Sequence, residues 1–200
     1  SVRVTAGDLI YISGQVGFEA DGSVPDEFAR AIELTYAELD LGADQPLPGA
    51  PFGLIVCHNV IEYAPDMAAA MRHLAQALRP GGVLSLAFGN ARHAPLNSAV
   101  VRHDLARASR ELRSGSAEST NIFGTQTHVL EPSAVMSALD ANALQTVAVR
   151  GIRCVTDLLE KRISEDEANF DALLALEQDM ARQPEYALIG RFVQIVARKR

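Results

Sequence analysis

The sequence predicts an α/β fold, and three observations carry that reading. From Phe52 onward, short apolar runs end abruptly in polar or turn residues. Segments with helix-spaced apolar residues lie between those runs, and Gly- and Pro-containing turns mark the changeovers. With 200 residues, of which 48% are hydrophobic, the chain can bury a real core, and its composition argues against disorder.

Residues 1–39 read as a β-hairpin followed by a helix. Ala6-Gly7-Asp8 is turn chemistry, Leu9–Ser13 is β-prone, and Asp21-Gly22 is a further turn signal. From Pro25, with Asp26 and Glu27 in the first turn, a helix would carry Phe28, Ile32, Tyr36 and Leu39 on one face. Residues 40–51, DLGADQPLPGAP, hold three prolines and two glycines and break the chain into two pieces.

In the second piece, residues 53–58 read as a buried strand, and residues 66–78 as a helix with Met67, Met71, Leu74 and Leu78 facing inward. Pro80-Gly81-Gly82 then reads as a tight turn before a strand over 83–88. A strand, a crossover helix and a second strand make a right-handed parallel unit. Residues 91–131 are polar and irregular, with one helix expected over 98–113. A short helix at 132–139, a strand at 144–155, helical stretches at 156–163 and 165–182, and a last strand at 189–197 complete the pattern.

The net charge of −7 argues against a generally basic nucleic-acid-binding surface, though not against a local patch. Arginine outnumbers lysine sixteen to two, so clustered arginines are weak evidence of function. Cys57 and Cys154 lack metal-ligand spacing and are expected as buried, reduced thiols of a cytoplasmic protein with no metal site. No signal peptide is read, and no apolar run approaches the roughly twenty residues that span a bilayer, so no membrane partner is expected.

Two stretches, QPLPGAPFGLIVCHNVIEYAPD and LAQALRPGGVLSLAFGN, resemble the second half of a class I S-adenosylmethionine-dependent methyltransferase. The resemblance implies a Rossmann-like sheet, parallel strands with a C-terminal antiparallel strand, over a domain spanning residues 40–200. It also implies S-adenosylmethionine as cofactor. GIRCVTDLLEKR, ALLALEQDMARQPEYALIGRFVQIVARKR and the loop after Phe88 resemble one subgroup more narrowly. Its members methylate the carboxylate of 5-carboxymethoxyuridine at the tRNA wobble position, which makes tRNA the implied partner.

A carboxylate acceptor is already anionic and needs no general base, so catalysis can come from holding donor and acceptor in line. Arginine is the expected clamp, because its planar fork can pair with a carboxylate through two hydrogen bonds. Arg153 in GIRCVT and Arg191 in LIGRFV lie in the segments that match the subgroup, and each reads alternatively as a solvated charge or a salt bridge at a strand end. His58, Asn59 and Glu62 match positions bordering the donor, at the carboxyl end of a strand where open α/β sheets bind ligands. His58 reads equally as a satisfied cap of that strand. Asp40 falls near the family's acidic contact to the adenine amino group, whereas Gly53 stands where an aspartate is usual. Arg102, Arg107, Arg110 and Arg113 could touch phosphates, or simply form a solvated helix face.

Residues 1–39 instead resemble the start of a Rid (YjgF) protein, a family of trimeric enamine and imine deaminases, through GDLIYISGQVGFEADGSVPDEF. Ser13 and Gly14 match positions near that family's pocket, but the rest of its pattern has no counterpart. The sequence contains no DxGxGxG donor turn, and Gly14-Gln15-Val16-Gly17 is a lone spacing. Donor binding is therefore expected to be weak or absent. Strand 53–58 is expected to lack its partner and to form an exposed edge. A second copy of the chain, making a homo-oligomer, or the hairpin at 2–18 would cover that edge. A Rid-type deaminase and a non-catalytic oligomerising chain are the rival readings.

Overall fold

The computed structural model describes residues 2–4, 9–13, 34–36, 47, 49–115, 118–120 and 126–200. Its strands are β1 (Val2–Val4), β2 (Leu9–Ser13), β3 (Leu34–Tyr36), β4 (Phe52–His58), β5 (Leu78–Gly89), β6 (Glu118–Thr120), β7 (Gln126–His128), β8 (Leu144–Ile152) and β9 (Phe192–Lys199). Its helices are α1 (Met67–Gln76), α2 (His93–Val100), α3 (Leu105–Ser114), α4 (Pro132–Ala141), α5 (Lys161–Ser164), α6 (Phe170–Arg182) and α7 (Pro184–Ala187). One seven-stranded mixed sheet runs in the order β3-β1-β2-β4-β5-β9-β8, and β6 and β7 form a separate antiparallel pair. The α/β class read from the sequence is the one observed.

The chain divides into two compact units. The first comprises residues 1–86, 138–147 and 196–200. Its β1 pairs antiparallel with both β2 and β3. β2 then runs parallel to β4, from Leu9 opposite Leu54 to Ser13 opposite His58. The expected open edge at β4 is therefore closed within the same chain, and the reason given above for self-association does not hold. Of the expected helix after Pro25, Tyr36 instead lies in β3; Pro25, Phe28, Ile32 and Leu39 lie outside the described residues.

In β4, Phe52, Ile55 and Cys57 are buried. α1 begins where Asp66 leaves helical geometry and its Oδ1 accepts from the N–H groups of Ala68 and Ala69, at 2.9 and 3.1 Å. Its inward face is Ala70, Met71, His73, Leu74 and Ala75, as the sequence spacing required at Met71 and Leu74. Lys199 Nζ donates to the carbonyls of Ala75 and Leu78, both at 2.7 Å, satisfying orphan acceptors as α1 ends.

Leu78 itself opens β5, and the expected Pro80-Gly81-Gly82 turn is a kink inside that strand. Gly81 takes φ +74, and a Cβ on Gly82 would lie 2.8 Å from the Arg79 carbonyl and 3.0 Å from that of Phe52. Two residues without side chains thus let the backbone bend and press close without leaving the ladder.

The second unit comprises residues 87–137 and 148–195. The single helix expected over 98–113 is two helices, α2 and α3. His103 at φ 53 and Asp104, whose Oδ1 accepts from the Arg107 N–H at 2.8 Å, break one helix and cap the next. The two are fastened where Ser98 Oγ donates to Glu111 at 2.6 Å and Arg107 Nε donates to Glu111 at 2.7 Å. Strand β8 stops at Ile152, short of the expected residue 155, because Arg153 turns to φ 55. β9 starts only at Phe192, since residues 184–187 form α7 with Pro184 in its first turn. Phe88, Val135, Cys154, Val193 and Ile195 are among this unit's buried apolar residues.

The Asp66 cap gives a local test of this construction. Asp66→Ala should cost about 1 kcal/mol of stability. A denaturant titration would then show a lower midpoint with an unchanged slope.

Candidate functional site

The chemistry gathers in the second unit, where β8 ends in the sequence Gly151-Ile152-Arg153-Cys154-Val155-Thr156-Asp157. Gly151 permits the crossing: a Cβ there would lie 2.4 Å from Cys154 Sγ and 2.8 Å from Ala187 Cα. Arg153 then adopts the left-handed φ of 55, unfavourable for a residue bearing a Cβ. What holds the chain in that shape is Glu177 on α6. Its Oε2 accepts from the Cys154 N–H at 2.7 Å. Its Oε1 accepts from the N–H groups of Val155 and Thr156, at 2.9 and 2.8 Å, and from the Thr156 hydroxyl at 2.6 Å. Burial opposes ionisation of Glu177, but the hydrogen bonds from Thr156, Val155 and Cys154 outweigh it, and the net pKa lies below the ordinary glutamate value.

The loop delivers Arg153 and Asp157 to one place. The Asp157 side chain is only 8% exposed, and it accepts from Arg153 on Oδ1 and from Arg191 Nη1 on Oδ2, the latter at 3.1 Å. The guanidiniums remain 48% and 47% exposed. Arg191 also lies over the Phe192 ring, 5.3 Å from its centroid. The structure therefore brings together the two arginines singled out from sequence, on a carboxylate that was not singled out. Two cations share one anion, so the cluster keeps a net positive charge with donors facing water. That arrangement suits a carboxylate or phosphate ligand.

Asn90, at the end of the LAFGN motif, fixes the segment that carries Arg191. Its Nδ2 donates to the carbonyls of Leu188 and Gly190, both at 2.8 Å, and its Oδ1 accepts from the Arg92 N–H at 3.0 Å. The Asn90 N–H donates to the Arg191 carbonyl at 3.0 Å, and the Arg191 N–H donates to that of Arg153 at 3.1 Å. His93, three residues on, contacts the Ile189 carbonyl through Nδ1 at 3.1 Å. Burial lowers the His93 pKa, the Ile189 bond and Asp157 oppose that, and Arg191 and Arg153 reinforce it.

The other candidates stand in the first unit, at the carboxyl end of β4. His58 Nε2 bonds Ser85 Oγ on β5 at 2.9 Å, and burial lowers its pKa. That is the cap reading of His58, with its Nε2 committed to protein. Asn59 has φ 53 and an exposed side chain. Glu62 is buried, 8% exposed, in a short 3-10 turn. Asn59 thus offers a free-standing amide to a donor molecule at this strand end, the edge where open α/β sheets bind ligands. Asp40 and the Gly14–Gly17 spacing lie outside the described residues, although β2 leads straight into that spacing beside the end of β4.

Arg102 and Arg107 are engaged with Asn97 and Glu111, so the helical arginines are not one uniform phosphate-binding row. Both cysteines are free and buried; burial, helped by Glu62, pushes Cys57 up to about 12, and burial, helped by Glu177, pushes Cys154 up to about 11. Neither thiol is a nucleophile at neutral pH. Among the described residues, no group of three or more His, Cys, Asp or Glu could hold a metal ion. None of their helices is long and apolar enough to cross a membrane.

Comparison with known proteins agrees with this geometry. A family described as a methyltransferase domain matches residues 22–84. A tRNA 5-carboxymethoxyuridine methyltransferase of Escherichia coli (strain K12) is 29% identical over 150 residues, 74% of this chain and 55% of that protein. A ubiquinone biosynthesis O-methyltransferase of Idiomarina loihiensis is 26% identical over 156 residues, 76% of this chain and 58% of that protein. The chain thus spans little more than half the length of these curated relatives. A crystal structure of an S-adenosylmethionine-dependent methyltransferase from Mesorhizobium loti shares the fold, with a TM-score of 0.53 at 20% identity, over 82% of this chain and 69% of that one. These matches relate the chain to the class I S-adenosylmethionine-dependent methyltransferases, and S-adenosylmethionine is the cofactor that goes with that kinship. The domain match begins at residue 22, inside the stretch that resembles a Rid protein, and the Rid reading gains no support.

The loop's dependence on Glu177 can be measured directly. Glu177→Gln puts amide hydrogens where an N–H now donates, and should cost about 1–3 kcal/mol. Because the folded carboxyl has the depressed pKa, its stabilisation is present above the unfolded pKa and is lost as pH falls through the folded value. The gap in melting temperature between wild type and variant should therefore be full at neutral pH and close in acid. A gap independent of pH would mean that the carboxylate's charge plays no part.

Proposed function

We propose that this chain takes part in methyl transfer from S-adenosylmethionine to a carboxylate, that of a 5-carboxymethoxyuridine at the wobble position of a tRNA. The observation that carries the reading is the convergence of Arg153 and Arg191 on the buried Asp157, which leaves two half-exposed guanidiniums in one place. The E. coli relative supplies the choice of acceptor.

When bound, S-adenosylmethionine supplies an electrophilic methyl group on its sulfonium. Asn59, with Glu62 behind it at the end of β4, contributes to holding that molecule, and His58 acts by bracing the strand end against Ser85. Asp40 remains the proposed adenine contact. On the acceptor side, Arg153 and Arg191 hold the carboxylate so that one oxygen is presented to the methyl carbon. They must not bind it so completely that both oxygens lose their lone pairs. Asp157 serves that end by taking up part of each guanidinium's donor capacity. No proton has to be removed, since the carboxylate is ionised at neutral pH and the product is a neutral ester. The gain is chiefly that of orientation.

A methyl-transfer assay with tRNA bearing 5-carboxymethoxyuridine, run at saturating donor, tests this reading. Charge-assisted hydrogen bonds are worth about 1.5–3 kcal/mol each. Arg191→Ala and Arg153→Ala should accordingly lower kcat/KM by about 10- to 100-fold, with melting temperatures close to wild type. Variants as active as wild type would remove both arginines from the acceptor site. Donor affinity is a separate matter. No DxGxGxG turn occurs in this sequence, and calorimetry of the 200-residue chain should give binding to S-adenosylmethionine weaker than micromolar. Micromolar binding would show that the chain holds the donor by other means.

A further inference from the structure

His93 is 5% exposed, and its Nε2 is buried without any hydrogen-bond partner. The opposite ring nitrogen is spoken for, because a carbonyl can only accept; Nδ1 must carry the hydrogen that it donates to Ile189. In the neutral ring Nε2 is then a bare acceptor. A buried acceptor left unpaired costs about 1–3 kcal/mol, and such groups are rare enough in folded proteins to call for an explanation.

The surroundings supply one. His93 opens α2, which packs against the turn over Thr156–Leu158 that carries Asp157. Its Nδ1 partner, Ile189, lies two residues before Arg191. Asp157, Arg191 and Arg153 are all near enough to act on its charge. These three are the charged groups that bear on the imidazole, and two of them are the proposed clamp.

We propose that His93 Nε2 is the second half of the anion site: the arginines take a carboxylate or phosphate, and the imidazole accepts a hydrogen bond from a hydroxyl group of the same ligand. The site is thereby selective for acids that carry a hydroxyl close to the anionic group, a description that covers sugar-borne acids such as nucleotides. Arg153 and Arg191 must be able to bind an anion for this to hold, so the inference rests on their reading as a clamp. The low His93 pKa is consistent with it, since the neutral ring is the form that accepts.

Malate and succinate make the discriminating pair, because they carry the same two carboxylates and differ by one hydroxyl. Their binding to the whole chain can be followed by calorimetry and by nitrogen-15 NMR of the histidine rings. Malate should bind about tenfold more tightly than succinate, the worth of one hydrogen bond, and should move the Nε2 resonance of His93. His93→Asn keeps a donor near the Ile189 carbonyl but removes Nε2. It should bind succinate as wild type does and lose the malate advantage.

Equal affinity for the two acids in the wild type, with the Nε2 resonance unmoved, would overturn the proposal while leaving the clamp intact. Succinate binding that is absent, or indifferent to Arg153→Gln and Arg191→Gln, would overturn the clamp and this inference together. The wild-type comparison decides the matter even if His93→Asn fails to fold.

Discussion

The Glu177 carboxylate is the contact on which the candidate site most depends. It receives three consecutive backbone N–H groups and a hydroxyl, and by doing so holds a loop whose first residue, Arg153, sits in a conformation that a side chain disfavours. A loop of this kind has no ladder or helix to satisfy its N–H groups, and buried N–H groups must find acceptors somewhere. A carboxylate from α6 meets all of them at once. The direction in which Arg153 and Asp157 leave the backbone follows from that one constraint.

Around it the second unit repeats the same economy. Asn90 spends both ends of its amide on the segment before Arg191, and Asp157 spends both oxygens on the two arginines. Exposed ion pairs contribute little stability. The half-exposed arginines are therefore better understood as groups kept in place for a ligand than as struts of the fold, whereas the buried Asn90 and the loop-capping Glu177 are the struts. His93 belongs to neither group, since one nitrogen is tied to the backbone and the other has nothing to bind.

The strand–helix–strand unit of the first half was legible because each signal was local: the apolar run of β4, the Asp66 cap, the inward spacing of Met71 and Leu74. Where a helix end hung on one residue, reading became unsafe. Asp104 and His103 split an expected helix into α2 and α3, and two glycines turned an expected loop into a kink within β5. The largest departure was β4, expected at an exposed edge and found between β2 and β5. Its cause is non-local, for pairing a strand with another some forty residues earlier leaves no mark in either run of sequence.

Of the site, sequence alone determined the chemical ingredients: arginines in two separate C-terminal segments, a polar strand end at His58-Asn59, and no thiol chemistry in Cys57 or Cys154. Tertiary structure alone decided that Arg153 and Arg191, 38 positions apart, meet on Asp157, that His58 bonds Ser85, and that Glu177 and Asn90 hold the frame. The physical reason is that a charged side chain announces its capacity for hydrogen bonds but not its partner. The partner is chosen when the backbone folds and brings distant donors and acceptors within about 3 Å of each other.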